Sequence, residues 1–310
     1  MANWQGYRVA AYITAYEDAP ALNACLTALQ DQTVAIEHIF VVDNSRQPLP
    51  LEPPHQANSK LRVWHHPENI GIAAGIQFAL EQASIEGYDF LWMFDQDSQP
   101  MPTCLEELLK AYGELSDSAI GILGPHAIDA RTGVTVEPAL FLGDRFKGYK
   151  APSQTDPFEC DAPITSGSLL WLKAHLQVKP PDPKLFIDGV DLDYGLRVKQ
   201  AGFRNFIVPK AIMHHRFGES IVVQFAGKKK IVQIYSPLRH YYICRNHTYL
   251  ELFYSQGFNR FTCRLRRIKF ALRNSITILL FEPKFKFRKL KACMIGTYHG
   301  FQGNLNESWK

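Results

Sequence analysis

Five apolar or aromatic residues in a row, FLWMF at 90–94, are followed at once by Asp95-Gln96-Asp97-Ser98. A run of that length without a polar interruption reads as a strand covered on both faces, which requires layers above and below a sheet. Pro100 and Pro102 predict that the strand stops at the acids. Two carboxylates then stand at the carboxyl end of a buried strand, where open α/β sheets take their ligands. Paired in this way they repel unless a cation lies between them, and a hard divalent ion meets that need. A polar turn closing the strand is the competing explanation.

The chain around this stretch repeats the pattern. Short apolar runs at 9–13 (VAAYI), 39–42 (IFVV) and 61–64 (LRVW) each end in polar residues. Helical spacing separates them: Leu22, Cys25, Leu26 and Leu29 behind Pro20, then Ile72, Ile76, Phe78, Ala79 and Ala83 within 70–86, with Gly87 as a stop. Strand, helix, strand, strand, helix, strand predicts an α/β fold with a mostly parallel sheet and a single ligand edge. Further on, 104–115 reads as a helix and 119–123 as a strand, and 143–160 as a long surface loop. A strand kinked at Ser166-Gly167-Ser168 follows over 164–172, then an acidic segment turning helical over 186–203 and a short strand at 206–209.

Charge divides the chain. From 228 to 310 there are 17 Lys and Arg against three acids, a balance of +14, which leaves −10 for residues 1–227 against the chain's +4. We therefore expect two parts, 1–227 and a basic, aromatic, helical 228–310, with different partners. The six cysteines have no paired spacing, so neither a zinc site nor a disulfide framework is indicated and a reducing cytoplasm is expected. The first residues lack the layout of a signal peptide, and no run reaches the roughly 18–20 apolar residues that span a bilayer. The expectation is a soluble or peripheral protein.

Several groups can carry chemistry. Thr14, Tyr16 and Asp43 stand at the ends of the first two strands, where a carboxylate can accept from a base imide and a tyrosine can stack; an Asx turn explains Asp43 equally well. Asn69, Gly71 and Gly75 open a helix whose N–H groups favour phosphate, although small residues for helix packing account for the glycines as well. Asp188, Asp191 and Asp193 lie within six residues, and Asp188 and Asp191 share a face if the helix begins at Asp188. Helix-start acids also complement the dipole; three exceed that need, and one could act as general base. His214-His215 offers imidazole to a divalent ion, or is structural.

The colinear order TAY (14–16), VVDNS (41–45), NIGIAAGIQ (69–77), DQDS (95–98), ITSGS (164–168), LFIDGVDLDYGLR (185–197) and HHRFG (214–218) resembles the family 2 inverting glycosyltransferases, most of all their bacterial rhamnosyltransferase branch. RHYYICRNH (239–247) is similar to the segment that follows the catalytic domain there. The resemblance implies a GT-A fold: a Rossmann-like, mostly parallel sheet flanked by helices, here with a basic helical extension. It implies Mg²⁺ or Mn²⁺ held by Asp97, Asp95 and His215. It implies a nucleotide-diphospho-sugar donor, dTDP-rhamnose in this branch, near Thr14, Tyr16, Asp43, Asn69, Gly71, Gly75, Asp95 and Gln96. Ser166 and Gly167 fall on the acceptor side. Asp191 falls at the general base, with Arg197 at the family's following arginine. Asp188 rivals Asp191, because the motif reads Val190-Asp191 where the family has Glu-Asp.

The basic tail alternates cations with Phe, Leu and Ile over 260–291, the composition of a helix lying on an anionic membrane face. A solvated bundle and nucleic-acid binding are the alternatives, and no nucleic acid is expected. The expected partners are the donor sugar and a saccharide or lipid-linked saccharide acceptor of surface polysaccharide synthesis. The expected location is the cytoplasm, peripheral on the inner membrane face. Two other functions use the same strand-end acids: a metal-dependent nucleotidyltransferase or phosphohydrolase, and a non-catalytic nucleotide-sugar binding protein.

Overall fold

VAAYITA, seven residues without a charge, forms β1 (Val9–Ala15), and every one is buried. It lies within a parallel set completed by β2 (His38–Asp43), β3 (Leu61–His65) and β4 (Phe90–Asp95), in the order β3-β2-β1-β4. The register pairs Ala15 with Asp43, Asp43 with His65 and Thr14 with Asp95, so four carboxyl ends share one rim. Helices α1 (Ala19–Gln30), α2 (Pro53–Gln56) and α3 (Gly71–Ile85) connect these strands. Asp18 caps α1 through its carboxylate on the Ala21 N–H, and Leu22, Cys25, Leu26 and Leu29 are all buried, as their spacing predicts. This computed structural model describes residues 6–115, 119–225 and 227–309. The first five residues, part of the segment read as lacking a signal peptide, lie outside them, as do the tail's last lysine, Lys310, and residue 226.

The sheet then becomes mixed. The chain runs on through β5 (Ser98–Pro100), α4 (Cys104–Glu114), β6 (Ile120–Asp129), β7 (Ala139–Phe141), β8 (Phe146–Gly148), β9 (Phe158–Cys160), β10 (Leu169–Trp171), α5 (Leu172–His175), α6 (Val190–Gln200) and β11 (Arg204–His215), and β7 and β8 pair with each other outside this sheet. Beyond β4 the order is β10-β6-β11-β5, with β9 also on β11; β10 is antiparallel to both its neighbours, and β6 and β11 are parallel. Three sequence expectations change here. The strand expected at 119–123 continues to Asp129. The strand expected to end at Pro209 continues to His215, because the register against β6 shifts between Val208 and Ile212 and the proline sits in that irregularity, where no ladder donor is needed. The chain after the acid pair does not remain a polar turn: 98–100 pairs antiparallel with β11, and Pro100 is tolerated because β5 is the edge.

The chain divides into two compact units. One comprises Met1–Leu140, Gly148–Pro183 and Val190–Arg216; the other takes Phe217–Lys310 together with Phe141–Lys147 and Lys184–Gly189, two segments from within 1–227. In the second unit, β12 (Glu219–Phe225) and β13 (Lys228–Ile234) form a hairpin, so helix begins at 237 and not at 228. Three helices follow: α7 (Pro237–Tyr254), α8 (Gly257–Phe281) and α9 (Lys286–Gln302). α9 comes close to α7 through Gly296 and Gly300, where an added Cβ would lie 2.4 Å from the Tyr241 carbonyl oxygen and 2.5 Å from that of Arg245. Glu282 is buried between His240 (2.9 Å), to which it is hydrogen-bonded, and Lys289, which compensates its charge. No helix among the described residues is long and apolar enough to cross a membrane.

RHYYICRNH acquires a structural meaning in α7. Buried Asn246 donates through Nδ2 to the carbonyls of Leu185, Ile187 and Asp188, each at 2.8 Å, and Arg245 reaches the carbonyls of Lys184, Leu305 and Glu307. Arg239 binds both carboxylate oxygens of Asp188. α7 thereby fixes a turn that contains two left-handed non-glycine residues, Phe186 (φ 61°) and Asp188 (φ 64°). We predict that Asn246→Leu, which leaves those buried carbonyls without their donor, lowers unfolding free energy by about 1–3 kcal/mol in urea denaturation. An unchanged midpoint would contradict this assignment.

Candidate active site

The rim described above gathers its acids at one place. One ligand atom each from Asp95, Asp97 and His215 lie within 4.8 Å of one another. Nε2 of His215 is 4.0 Å from Asp95 Oδ2, and its Nδ1 is 3.4 Å from Asp97 Oδ1. The backbone reversal at Gln96-Asp97 makes this possible, because it sets Ser98 opposite His215 in the β5–β11 register. His215 is 6% exposed, whereas the carboxylates are only partly covered. Of the two adjacent histidines only His215 faces the acids, since neighbours on a strand point to opposite faces.

A hydroxyl relay steadies the imidazole. Ser98 Oγ is 2.7 Å from His215 Nδ1 and also bonds Ser166 Oγ, which accepts from the Asp95 N–H at 3.0 Å. If Nδ1 carries the proton and donates to Ser98, Nε2 keeps its lone pair on the side of Asp95, the arrangement in which histidines bind metals. Two carboxylates and one imidazole are the donors that Mg²⁺ and Mn²⁺ accept, and the donor set therefore fits such an ion.

Several residues expected near ligand also hold the frame. Ser166 is 2% exposed and engaged in the relay, so it supports the acid pair. Gly167 (φ 80°) packs against Pro125 and Met213, whose side chains would both lie within 2.6 Å of an added Cβ, and its carbonyl accepts from the buried Trp92 indole. Gly75 faces the core: a Cβ there would lie 2.3 Å from Tyr12 Oη, so the helix-packing explanation holds. Gln96 spends its amide on Tyr16, donating to the Tyr16 carbonyl (2.9 Å) and accepting from its N–H (2.8 Å). It thus ties the end of β1 to the acid pair and leaves the Tyr16 ring 49% exposed.

The other rim residues build turns. Asp43 is 1% exposed and accepts from the N–H groups of Ser45 (3.0 Å) and Leu49 (2.8 Å), the Asx-turn reading extended to a whole loop. Asn69 (φ 54°) accepts from the N–H of Gly71 (φ 79°), and the two make the sharp entry into α3. Asn44, which sequence reasoning passed over, accepts from the Ile70 N–H at 3.0 Å and lies 3.5 Å from Thr14 Oγ1, joining β1, β2 and α3. The polar cluster VVDNS was its only sequence signal.

Downstream, the acids separate. α6 begins at Val190, so Asp188 and Asp191 do not share a helix face; left-handed Asp188 and Gly189 (φ 81°) set the helix start two residues later than expected. Asp188 is engaged by Arg239, as described above. Asp193 pairs with Arg197 at 2.6 Å, one turn apart, and Arg197 also donates to the carbonyls of Lys179 (2.6 Å) and Pro180 (3.0 Å). Arg197 is a clamp on that loop. Asp191 lines a small cavity of about 10 Å³ with Ile76, Met93, Thr165, Ser168 and Tyr194. Met93 is two residues before Asp95, and Thr165 and Ser168 flank Ser166, so one cavity wall is the frame of the acid site. Burial pushes the Tyr194 phenol up, and it bonds His175 at 2.9 Å, which leaves Asp191 as the carboxylate in the cavity.

Glycosyl transferase family 2 matches residues 11–162. Over 301 residues the chain is 28% identical to the dTDP-rhamnosyl transferase RfbF of Shigella flexneri, covering 95% of each chain. Among solved structures, S. aureus TarS 1–349 in complex with UDP-GlcNAc aligns with a TM-score of 0.55 at 12% identity, over 96% of this chain and 88% of that one. GalNAc-T7 with UDP, GalNAc and Mn²⁺ aligns with a TM-score of 0.57, also at 12% identity, over 96% of this chain. This chain spans just over half of GalNAc-T7, 56% of its length. Similarity this distant speaks for the fold alone, which is GT-A. The family match over residues 11–162 and the full-length relative together support a family 2 glycosyltransferase, close to the rhamnosyltransferases.

Proposed function

We propose that this enzyme moves L-rhamnose from dTDP-rhamnose to a hydroxyl of a saccharide or lipid-linked saccharide, with inversion, in the synthesis of a bacterial surface polysaccharide. The full-length similarity to a dTDP-rhamnosyl transferase supports the donor, and the Asp95–Asp97–His215 cluster carries the chemistry. In this reading Asp97, Asp95 and His215 hold Mg²⁺ or Mn²⁺, which supplies positive charge beside the leaving diphosphate. Tyr16, with its exposed ring, offers a stacking face to the base. Asp43 and Asn69–Gly71 shape the loops that border the nucleotide, and Thr14 and Asn44 hold those loops together.

Asp191 is the general base. Its carboxylate takes the proton of the acceptor hydroxyl as the oxygen forms its bond to the anomeric carbon. The bond from that carbon to the diphosphate oxygen breaks on the opposite face, and dTDP leaves. One displacement inverts the centre, and no covalent enzyme intermediate forms. Asp188 is the weaker candidate because Arg239 binds both its oxygens. Arg197 acts by position, bracing the loop at 179–180. Exposed apolar side chains on α8 and α9, among Lys and Arg, support contact between the second unit and an anionic membrane surface, in this reading the inner face of the cell membrane.

Two outcomes test this reading. Asp191→Asn should lower kcat for rhamnosyl transfer by about 10²–10⁴-fold while dTDP still binds, whereas Asp188→Asn should chiefly lower stability. Equal loss of kcat in both variants, or none in Asp191→Asn, would sink the assignment. Ser98→Ala should weaken Mn²⁺ binding about 10–100-fold in calorimetric titration, because His215 loses the partner of its Nδ1. Unchanged affinity would remove the relay from the metal site.

A further inference from the structure

The second unit contains a cleft of about 460 Å³ that none of the chemistry above uses. Five cations line it: Arg145, Arg266, Arg267, Lys269 and Arg273. Against them stand two acids. Asp144 is bound to Arg145 (2.8 Å) and Arg266 (2.6 Å), and Glu251, which also lines the cleft, lies 3.5 Å from Arg267. Burial raises the Glu251 pKa, which further reduces its opposition to an anion. His247 on the same wall stays neutral, its pKa lowered to about 3 by burial and by Arg267. The positive charge is therefore not cancelled within the cleft.

Arg267 is the telling member. It is 5% exposed, its Nε donates to Thr248 Oγ1 at 3.1 Å, and its plane lies 4.3 Å from the Phe270 ring centre. Its Nη2 is buried without a hydrogen-bond partner among the described residues. An orphaned guanidinium edge is destabilising unless something accepts from it. Lys269 and Arg273 are exposed beside it, with no acid partner among the described residues. A planar fork, a flexible ammonium and further arginines converging on one concavity match tetrahedral oxyanions better than a single carboxylate.

We propose that this cleft binds a phosphate or diphosphate ester. An apolar row on the same helix, Phe261, Leu265, Ile268, Leu272, Ile276 and Leu279, recurs at intervals of three and four residues and is 47–63% exposed. Lys269 and Arg273 flank that row, each one residue after Ile268 or Leu272, so an ester with a hydrocarbon tail meets both features. An acceptor linked to lipid through a diphosphate would be gripped here. That extension rests on the transfer reading, whereas the binding site does not.

The test is calorimetric titration of the full chain in EDTA, which keeps metal-dependent diphosphate binding at Asp97 out of the signal. Inorganic pyrophosphate and geranyl diphosphate are the two probes. Both should bind the unaltered protein, and K269Q/R273Q, two exposed substitutions that leave the core intact, should weaken both at least about tenfold. Asp97→Asn should leave both unchanged. Geranyl diphosphate binding at least about tenfold tighter than pyrophosphate would identify a lipid-linked source, and equal affinities a free phosphate source. Absence of binding in the unaltered protein, or unchanged affinities in K269Q/R273Q, would overturn the proposal. So would loss of binding in Asp97→Asn alone.

Discussion

Two carboxylates two residues apart, at the end of a strand that cannot move, are the constraint from which the rest of the first unit follows. Asp95 is pinned because β4 is buried between β1 and β10, and Asp97 because the chain must reverse to pair β5 with β11. Their mutual repulsion cannot relax by separating the backbones. His215 arrives beside them from a strand more than a hundred residues later, its imidazole fixed by a serine relay, and the three side chains together offer the donor set of a divalent ion. The sheet's change from parallel to mixed order serves the same end. Inserting β10 antiparallel between β4 and β6 brings Ser166 beneath the acid pair, where its hydroxyl can take the Asp95 N–H.

Much of this was legible from residue patterns, and the exceptions have physical causes. Unbroken apolar runs declared β1, β2 and β4, and α/β alternation declared the rim, because those signals are local. The extension of β11 past Pro209 was not legible: a proline normally ends a strand, and only the irregular register against β6 lets the chain continue. The glycines were ambiguous for a related reason. Gly75 and Gly167 are small because Tyr12, Pro125 and Met213 crowd them, a demand set by partners distant in sequence. Polar residues at the rim were ambiguous for the same cause: Ser166, Gln96 and Asp43 partner backbone groups at strand ends, and a rim has many such groups.

The second unit shows how a motif can be recognised without its reason. Arg245 and Asn246 in α7 donate to carbonyls of the 184–189 turn and the last residues of the chain, and Arg239 holds Asp188. The acidic cluster at 188–193 therefore holds acids with different work. Asp188 pairs with Arg239, Asp193 with Arg197, and Asp191 lines the cavity. Spacing alone treated them as a set, because the left-handed turn that separates them depends on α7 and leaves no periodic trace.

The central claim is that Asp95, Asp97 and His215 form a metal-dependent diphosphate site in a sugar transferase. Thermal unfolding of the full chain with dTDP, in the presence and absence of Mn²⁺, tests it most directly. At a hundredfold excess of ligand over its dissociation constant, binding stabilises by about 2.7 kcal/mol, enough to raise Tm by several degrees. The account predicts that dTDP with Mn²⁺ raises Tm in this way, that EDTA abolishes most of the shift, and that Asp97→Asn behaves like the EDTA sample. An equal shift by dTDP with and without metal, or none with metal present, would contradict it.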